Sequence, residues 1–186
     1  MKKETRELLL DSGFKEFYQN GYQGASVAAI LNEVGINKGS MYHFFKSKKA
    51  LALAVIKERI HTNLALKYTK VLEGQKSFER LFQTLAAALE ALPYGCPLNK
   101  MSQEMAYIDN DFHQALSQVY TCFEDLVEQI LTQAVEAKII SSSDTILTAR
   151  HIIATYEGAL MMYHLNRNTQ AFVDVIEDLK AQLELK

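Results

Sequence analysis

Between residues 37 and 49 the chain concentrates hydrogen-bond donors in a short space. Lys38 brings charge, Gly39 has no side chain to hold a backbone off another surface, and Ser40 is a short donor. Tyr42 and His43 add donors within one helical turn, and Lys46, Lys48 and Lys49 follow. Lysines neutralise phosphates while short polar groups reach base edges, so the set suits a nucleic acid. Taken alone, the lysine-rich turn fits an ordinary solvated surface equally well. A second reactive candidate is Cys96, in Gly95-Cys96-Pro97, where a helix N-terminus would lower a thiol pKa. Its competing reading is a small buried cysteine at a tight turn. His61, His113, His151 and His164 are scattered along the predicted helices with no HExxH spacing, and no nucleophile–base pair is evident. No catalytic residue, metal ligand or cofactor is expected.

The elements that must position these residues are helical. With 2 Pro and 8 Gly, the chain has few breaks, and no period-2 alternation runs for any length. Leu10, Phe14 and Phe17 set a first helix from about Thr5 to Asn20, closed by Asn20-Gly21. Ser26 can cap a second, with Val27, Ile30, Leu31 and Val34 on its apolar side and Gly35 at its end. Asn37 can cap a third, carrying the donor-rich segment, and Ser47 a long fourth. Ser77 is expected to cap a segment through Leu92. Beyond the Pro93–Pro97 break, helices are expected over about 98–107, 111–137, 144–165 and 169–185. The fold class is therefore all-α, about nine helices. A three-helix head over 1–46 precedes a helical body over 47–186.

Two short helices joined by a turn and braced by a longer one make a helix-turn-helix, whose second short helix enters the major groove. Charge agrees with this. Residues 1–60 hold ten Lys/Arg against six Asp/Glu, giving +4, and the rest hold ten against sixteen, giving −6. A basic head on an acidic body suits a polyanion at the head. The competing reading is a helical interaction protein whose head meets an acidic partner. Charged residues interrupt every apolar run, and Met1–Glu7 has no apolar core behind its charges, so neither a membrane span nor a secretion signal is expected. With two distant cysteines, Cys96 and Cys122, a soluble cytoplasmic chain is the expectation.

The stretch Gly21-Tyr22-Gln23-Gly24-Ala25-Ser26-Val27, then Ile30, then residues 35–51 (GINKGSMYHFFKSKKAL), resembles the signature of the TetR family, over about Leu9 to Leu53. The resemblance implies a regulator that binds double-stranded palindromic operator DNA as a homodimer and is released by a small-molecule effector. It gives Ser26 a cap and phosphate contact, Lys38, Gly39 and Ser40 base-edge contacts, and Tyr42, His43 and Lys48 phosphate contacts. Asn37, which opens that helix, joins the DNA-binding set. Three departures stand out. Phe44 replaces a usual His, Ala25 replaces a frequent Thr, and Ala29 and Ala50 stand where an acidic residue would complete each capping box.

For the remainder, the resemblance implies dimerisation through the last two helices. Ile146, Ile153, Leu160 and Tyr163 recur along one of them, Phe172, Val175, Ile176 and Leu179 along the other. Soft and aromatic residues are candidates for lining an effector pocket: Met101, Met105, Tyr107 and Phe112, then Tyr120 and Phe123, then Tyr156, Met161 and His164. Such stripes are more often plain core. The segment around Gly95-Cys96 is similar to one branch of the family that includes acrylate- and electrophile-responsive repressors. That likeness makes Cys96 a candidate sensor.

Overall fold

The structure, a computed structural model, describes residues 2–184. Among them the chain is helical throughout, with no strand. Among the described residues two compact units form: residues 2–63 with 97–120, and residues 64–96 with 121–184.

The first unit begins with α1 (Lys2–Gly24), whose Leu9, Leu10 and Phe17 are buried. As the Asn20-Gly21 pair suggested, its helical geometry breaks at Gly21, where φ is 71° and ψ 175°. Next come α2 (Val27–Val34), α3 (Lys38–Phe44) and α4 (Lys48–Val55). Their caps are the expected ones. Ser26 accepts from the Ala29 N–H, Asn37 from that of Ser40, and Ser47 from that of Ala50. Gly35 closes α2 at φ 73°, donating its N–H to the Leu31 carbonyl at 2.9 Å. A π-helical stretch, Ile56–His61, leads from α4 into α5 (Thr62–Leu72). Opposed charges tie that stretch to α1. Arg6 donates to both carboxylate oxygens of Glu58 at 2.8 and 2.6 Å, and Arg59 donates to Asp11 at 2.6 Å and Glu7 at 2.8 Å. The unit is completed by α8 (Pro97–Met101), a second π-helical stretch over Ser102–Ala106, and the beginning of α9 (Asn110–Glu136).

The second unit contains most of α5, then α6 (Ser77–Ala86), α7 (Ala88–Ala91), the remainder of α9, α10 (Thr145–Asn166) and α11 (Thr169–Leu183). Its core gathers Tyr68, Phe78, Phe82, Phe123, Ile130, Ile152, Tyr156 and Phe172. Asp144 and Asn168 cap α10 and α11 through the N–H groups of Leu147 and Ala171. Ser77 is not the cap of α6. Lys76 holds that position in the left-handed region (φ 56°), while Ser77 is the buried first residue of the helix and donates its hydroxyl to Gln133 at 2.9 Å. A buried hydroxyl needs a partner, and a tertiary one was within reach. The expected end of the last helix at Leu185 lies outside the described residues.

Candidate nucleic-acid interface

Helix α3 is seven residues long and anchors itself through one fully buried side chain, Met41. That anchoring turns the rest of its donors outward. Lys38, Gly39 and His43 are exposed, as is Tyr42 at 37%, and Ser40 is half-buried. Asn37 Oδ1 accepts both the backbone N–H of Ser40 (2.9 Å) and its hydroxyl (3.1 Å), so this cap also orients a candidate base contact. The Lys38 ammonium lies 5.8 Å from the Tyr42 ring centroid, within cation–π range. Lys48 sits 4.9 Å over the Tyr22 ring and reaches the Gln23 carbonyl at 3.4 Å. Ser26 is exposed at the start of α2. The sequence-derived contacts thus gather on α3 and on the first turns of α2 and α4, within a single compact unit.

The apolar members of the segment point the other way. Phe45 is buried and meets the Arg6 guanidinium at 5.3 Å, and Phe44 is half-buried with an edge contact to the His43 ring. Lys49 departs from the lysine cluster. It pairs with Asp109 (2.8 Å) and Asp111 (2.7 Å), whose hydrogen bonds raise its pKa and hold the Asp109 carboxyl below the usual range. A cation so engaged is not offered to phosphate as Lys46 is. The half-complete capping box at Ala29 is also repaired in an unforeseen way. Glu16, ten residues earlier on α1, accepts the Ser26 N–H at 2.8 Å. Glu33 locks α2 to α1, taking Ser12 at 2.8 Å and Lys15 at 2.7 Å, and Lys15 followed by Ser12 lowers its pKa. No local sequence signal predicts these pairings, because the partners are 10 to 62 residues apart.

The effector candidates are divided between the two units. Met101, Met105 and Phe112 are buried in the first unit, where Phe112 meets Tyr22 edge-on at 4.7 Å. Tyr107 is 97% exposed and Tyr120 40%. In the second unit, Phe123 meets the Tyr68 ring at a tilt of 41° and Tyr156 is sealed in the core, while Met161 faces solvent. His164 is held by the carbonyls of Leu160 (2.8 Å) and Pro93 (3.4 Å). Cys96 is half-buried against that unit's core. Burial lowers the pKa of Lys67 and pushes the Tyr68 phenol up, and both side chains feel Cys96. A cleft of about 790 Å³ that the sequence reading missed lies in the first unit, between Leu53, Lys57 and His61 on one wall and Gln114, Gln118 and Val119 on the other.

The dimer candidates divide in two. Ile153, Leu160, Phe172 and Ile176 are buried in their own unit's core and have no surface left for a partner. Tyr163, Val175 and Leu179 are partly buried beside them, and Ile146 is exposed. The opposite side of α10 carries Leu147, Ala154, Gly158, Met161 and Leu165, of which Leu165 is 83% exposed. Among the described residues, no three His, Cys, Asp or Glu side chains are placed to hold a metal ion, and no helix is long and apolar enough to cross a membrane.

Comparison with known proteins agrees with this geometry. Residues 9–55 match the family described as bacterial regulatory proteins, tetR family, and residues 76–179 match the tetracyclin repressor-like C-terminal domain. The chain is 26% identical over 188 residues to an HTH-type transcriptional regulator in the lacX 3' region of Lactococcus lactis subsp. lactis, covering 98% of this chain and 94% of that protein. It is 24% identical over 185 residues to the HTH-type transcriptional repressor NemR of Escherichia coli (strain K12), covering 95% and 92%. The solved structure of E. coli NemR in its reduced form superposes with a TM-score of 0.86 over 96% of this chain and 97% of that one, at 23% identity, a likeness of fold. These relatives are transcriptional regulators, not enzymes.

Proposed function

The chain belongs to the TetR family of bacterial regulatory proteins, and from that premise we propose that it is a cytoplasmic repressor, binding a palindromic operator as a homodimer and leaving it when a small-molecule effector binds. The observation that carries this reading is the outward set on α3. Lys38, Gly39, Ser40, Tyr42 and His43 are arrayed on a capped helix whose one buried anchor is Met41. Lys38, Gly39 and Ser40 meet base edges. Tyr42, His43, Ser26 and Lys48 meet phosphates and set the register. The DNA-reading part is residues 1–46, with Lys48 adding one phosphate contact from the start of α4, and sensing and pairing belong to 47–186.

Pairing uses the free apolar side of α10, where Leu147, Met161 and Leu165 flank the small Ala154 and Gly158, together with Val175 and Leu179 of α11. Two half-sites in successive major grooves require two recognition helices about 34 Å apart, which a two-fold dimer supplies. The effector acts by biasing two separations of those helices. A hundredfold change in occupancy requires about 2.7 kcal/mol of differential binding. Cys96, beside Lys67 and Tyr68, is the residue at which an electrophilic effector would act.

Binding of the purified chain to DNA from its own upstream region, across a salt series and against a scrambled duplex, tests the reading. Selective binding that is lost in Lys38→Ala and Tyr42→Ala supports it. Weak, unselective binding indifferent to both substitutions replaces it with an acidic-partner function.

A further inference from the structure

The turn that delivers α2 and α3 from α1 is held by two opposite charges one helical turn apart. On the α1 side of Gly21, Lys100 of α8 donates to the carbonyls of Tyr18 and Gln19, each at 2.9 Å. On the far side, the N–H groups of Tyr22 and Gln23 both donate to Glu104 Oε2, at 2.6 and 3.0 Å. Lys100 thus takes carbonyls that the helix leaves open where it breaks, and Glu104 takes the N–H groups beyond the break. Side chains tighten the same grip: the Tyr22 ring packs against Phe112, and the Gln23 amide reaches Met105 Sδ at 3.5 Å. Gly21 itself lies against Glu104, and a Cβ at that position would collide with the carboxylate. All these residues belong to the first unit.

We propose that Lys100 and Glu104 are positioning residues for DNA recognition, fixing the angle at which the α2–α3 pair leaves α1. The proposal rests on the DNA-binding reading above. Ser26, the cap of α2, follows Gln23 by three residues, so freedom at the clamped turn passes directly into α2. Helix α2 has eight residues, about 12 Å, so a swing of about 10° at the turn displaces its far end by about 2 Å. That exceeds the latitude of a direct hydrogen bond to a base edge. Phosphate contacts of long lysines tolerate such a shift, and non-specific affinity follows the number of phosphates neutralised. The clamp therefore governs selectivity more than gross attraction.

The test uses the full chain and a duplex selected by it from a random-sequence pool, with a scrambled duplex alongside. Glu104→Gln, which keeps the shape and removes the charge, weakens binding to the selected duplex about tenfold, the scale of one lost charge-assisted hydrogen bond. Binding to the scrambled duplex and its salt slope stay unchanged, and the amides of residues 22 and 23 lose protection from hydrogen exchange. Gly21→Ala does the same in the parent chain, and its effect shrinks in a Glu104→Ala background, where the collision is gone. Parallel loss on both duplexes would show that the clamp only holds the fold. Retained protection at residues 22 and 23, or additive effects of Gly21→Ala and Glu104→Ala, would also overturn it. If no duplex is enriched by the parent chain, the DNA-binding reading fails and the positioning role goes with it.

Discussion

Replacing Asn37 by Ala and by Asp separates helix capping from DNA contact at one position. Helix α3 has seven residues, well short of the roughly 12–15 at which an isolated helix becomes marginally stable. Its order therefore depends on the Met41 anchor and on the cap, in which Asn37 Oδ1 takes the Ser40 N–H and hydroxyl. The site is exposed, so water replaces the lost acceptor and no buried donor is stranded. Asn37→Ala then costs the ordinary cap contribution of about 1 kcal/mol. For a chain of this size that lowers Tm by about 2–4 °C. If the opening is local, exchange of the Ser40 amide accelerates about fivefold, the Boltzmann factor for 1 kcal/mol. Asn37→Asp keeps the acceptor and adds a negative charge at a helix N-terminus, worth about 0.3–1 kcal/mol in its favour. The same charge faces the phosphates and weakens DNA binding. The aspartate variant is thus at least as stable as the parent yet binds operator less well, while the alanine variant loses in both. Thermal melting, amide exchange and operator titration on the same three proteins decide the matter. If Asn37→Ala leaves Tm and the Ser40 amide unchanged, or Asn37→Asp destabilises the chain, the cap does not hold the recognition helix.

Other consequences follow from particular contacts. The Arg6 hydrogen bond is the main reason the Glu58 carboxyl is held below its usual 4.5, so the pair's contribution is present above pH 4.5 and is lost as pH falls through the lowered value. Glu58→Gln is destabilised at neutral pH by no more than about 1 kcal/mol, since both groups are about a third exposed, and chemical denaturation below pH 4.5 shows that gap closing. Leu147→Glu combined with Met161→Glu places charges on the free side of α10. Sedimentation velocity then finds a monomer with unchanged helix content, and a persistent dimer would move the seam elsewhere. Burial raises the Cys122 thiol pKa, so N-ethylmaleimide at pH 7 modifies Cys96 before Cys122 by peptide mapping. Unchanged operator affinity with Cys96 fully alkylated ends its role as a sensor.

Local chemistry made much of the first unit legible. Ser26, Asn37 and Ser47 each cap through an N–H three residues ahead, and Gly21 and Gly35 take the positive φ at which the turns occur. These interactions close within one turn of helix, so the order of residues alone sets them. Ser77 failed the same reasoning because it is buried, and Gln133 of α9 takes its hydroxyl. Tertiary packing decided how the head is held: Glu16 on the Ser26 N–H, Asp109 and Asp111 on Lys49, and Lys100 and Glu104 on the turn at Gly21. It also decided which side of α10 is free. Both sides of that helix are apolar, with Ile153 and Leu160 on one and Leu147 and Met161 on the other. Periodicity shows where apolar residues align on a helix, but not which of two apolar sides the rest of the chain will cover, because that depends on neighbours far away in sequence.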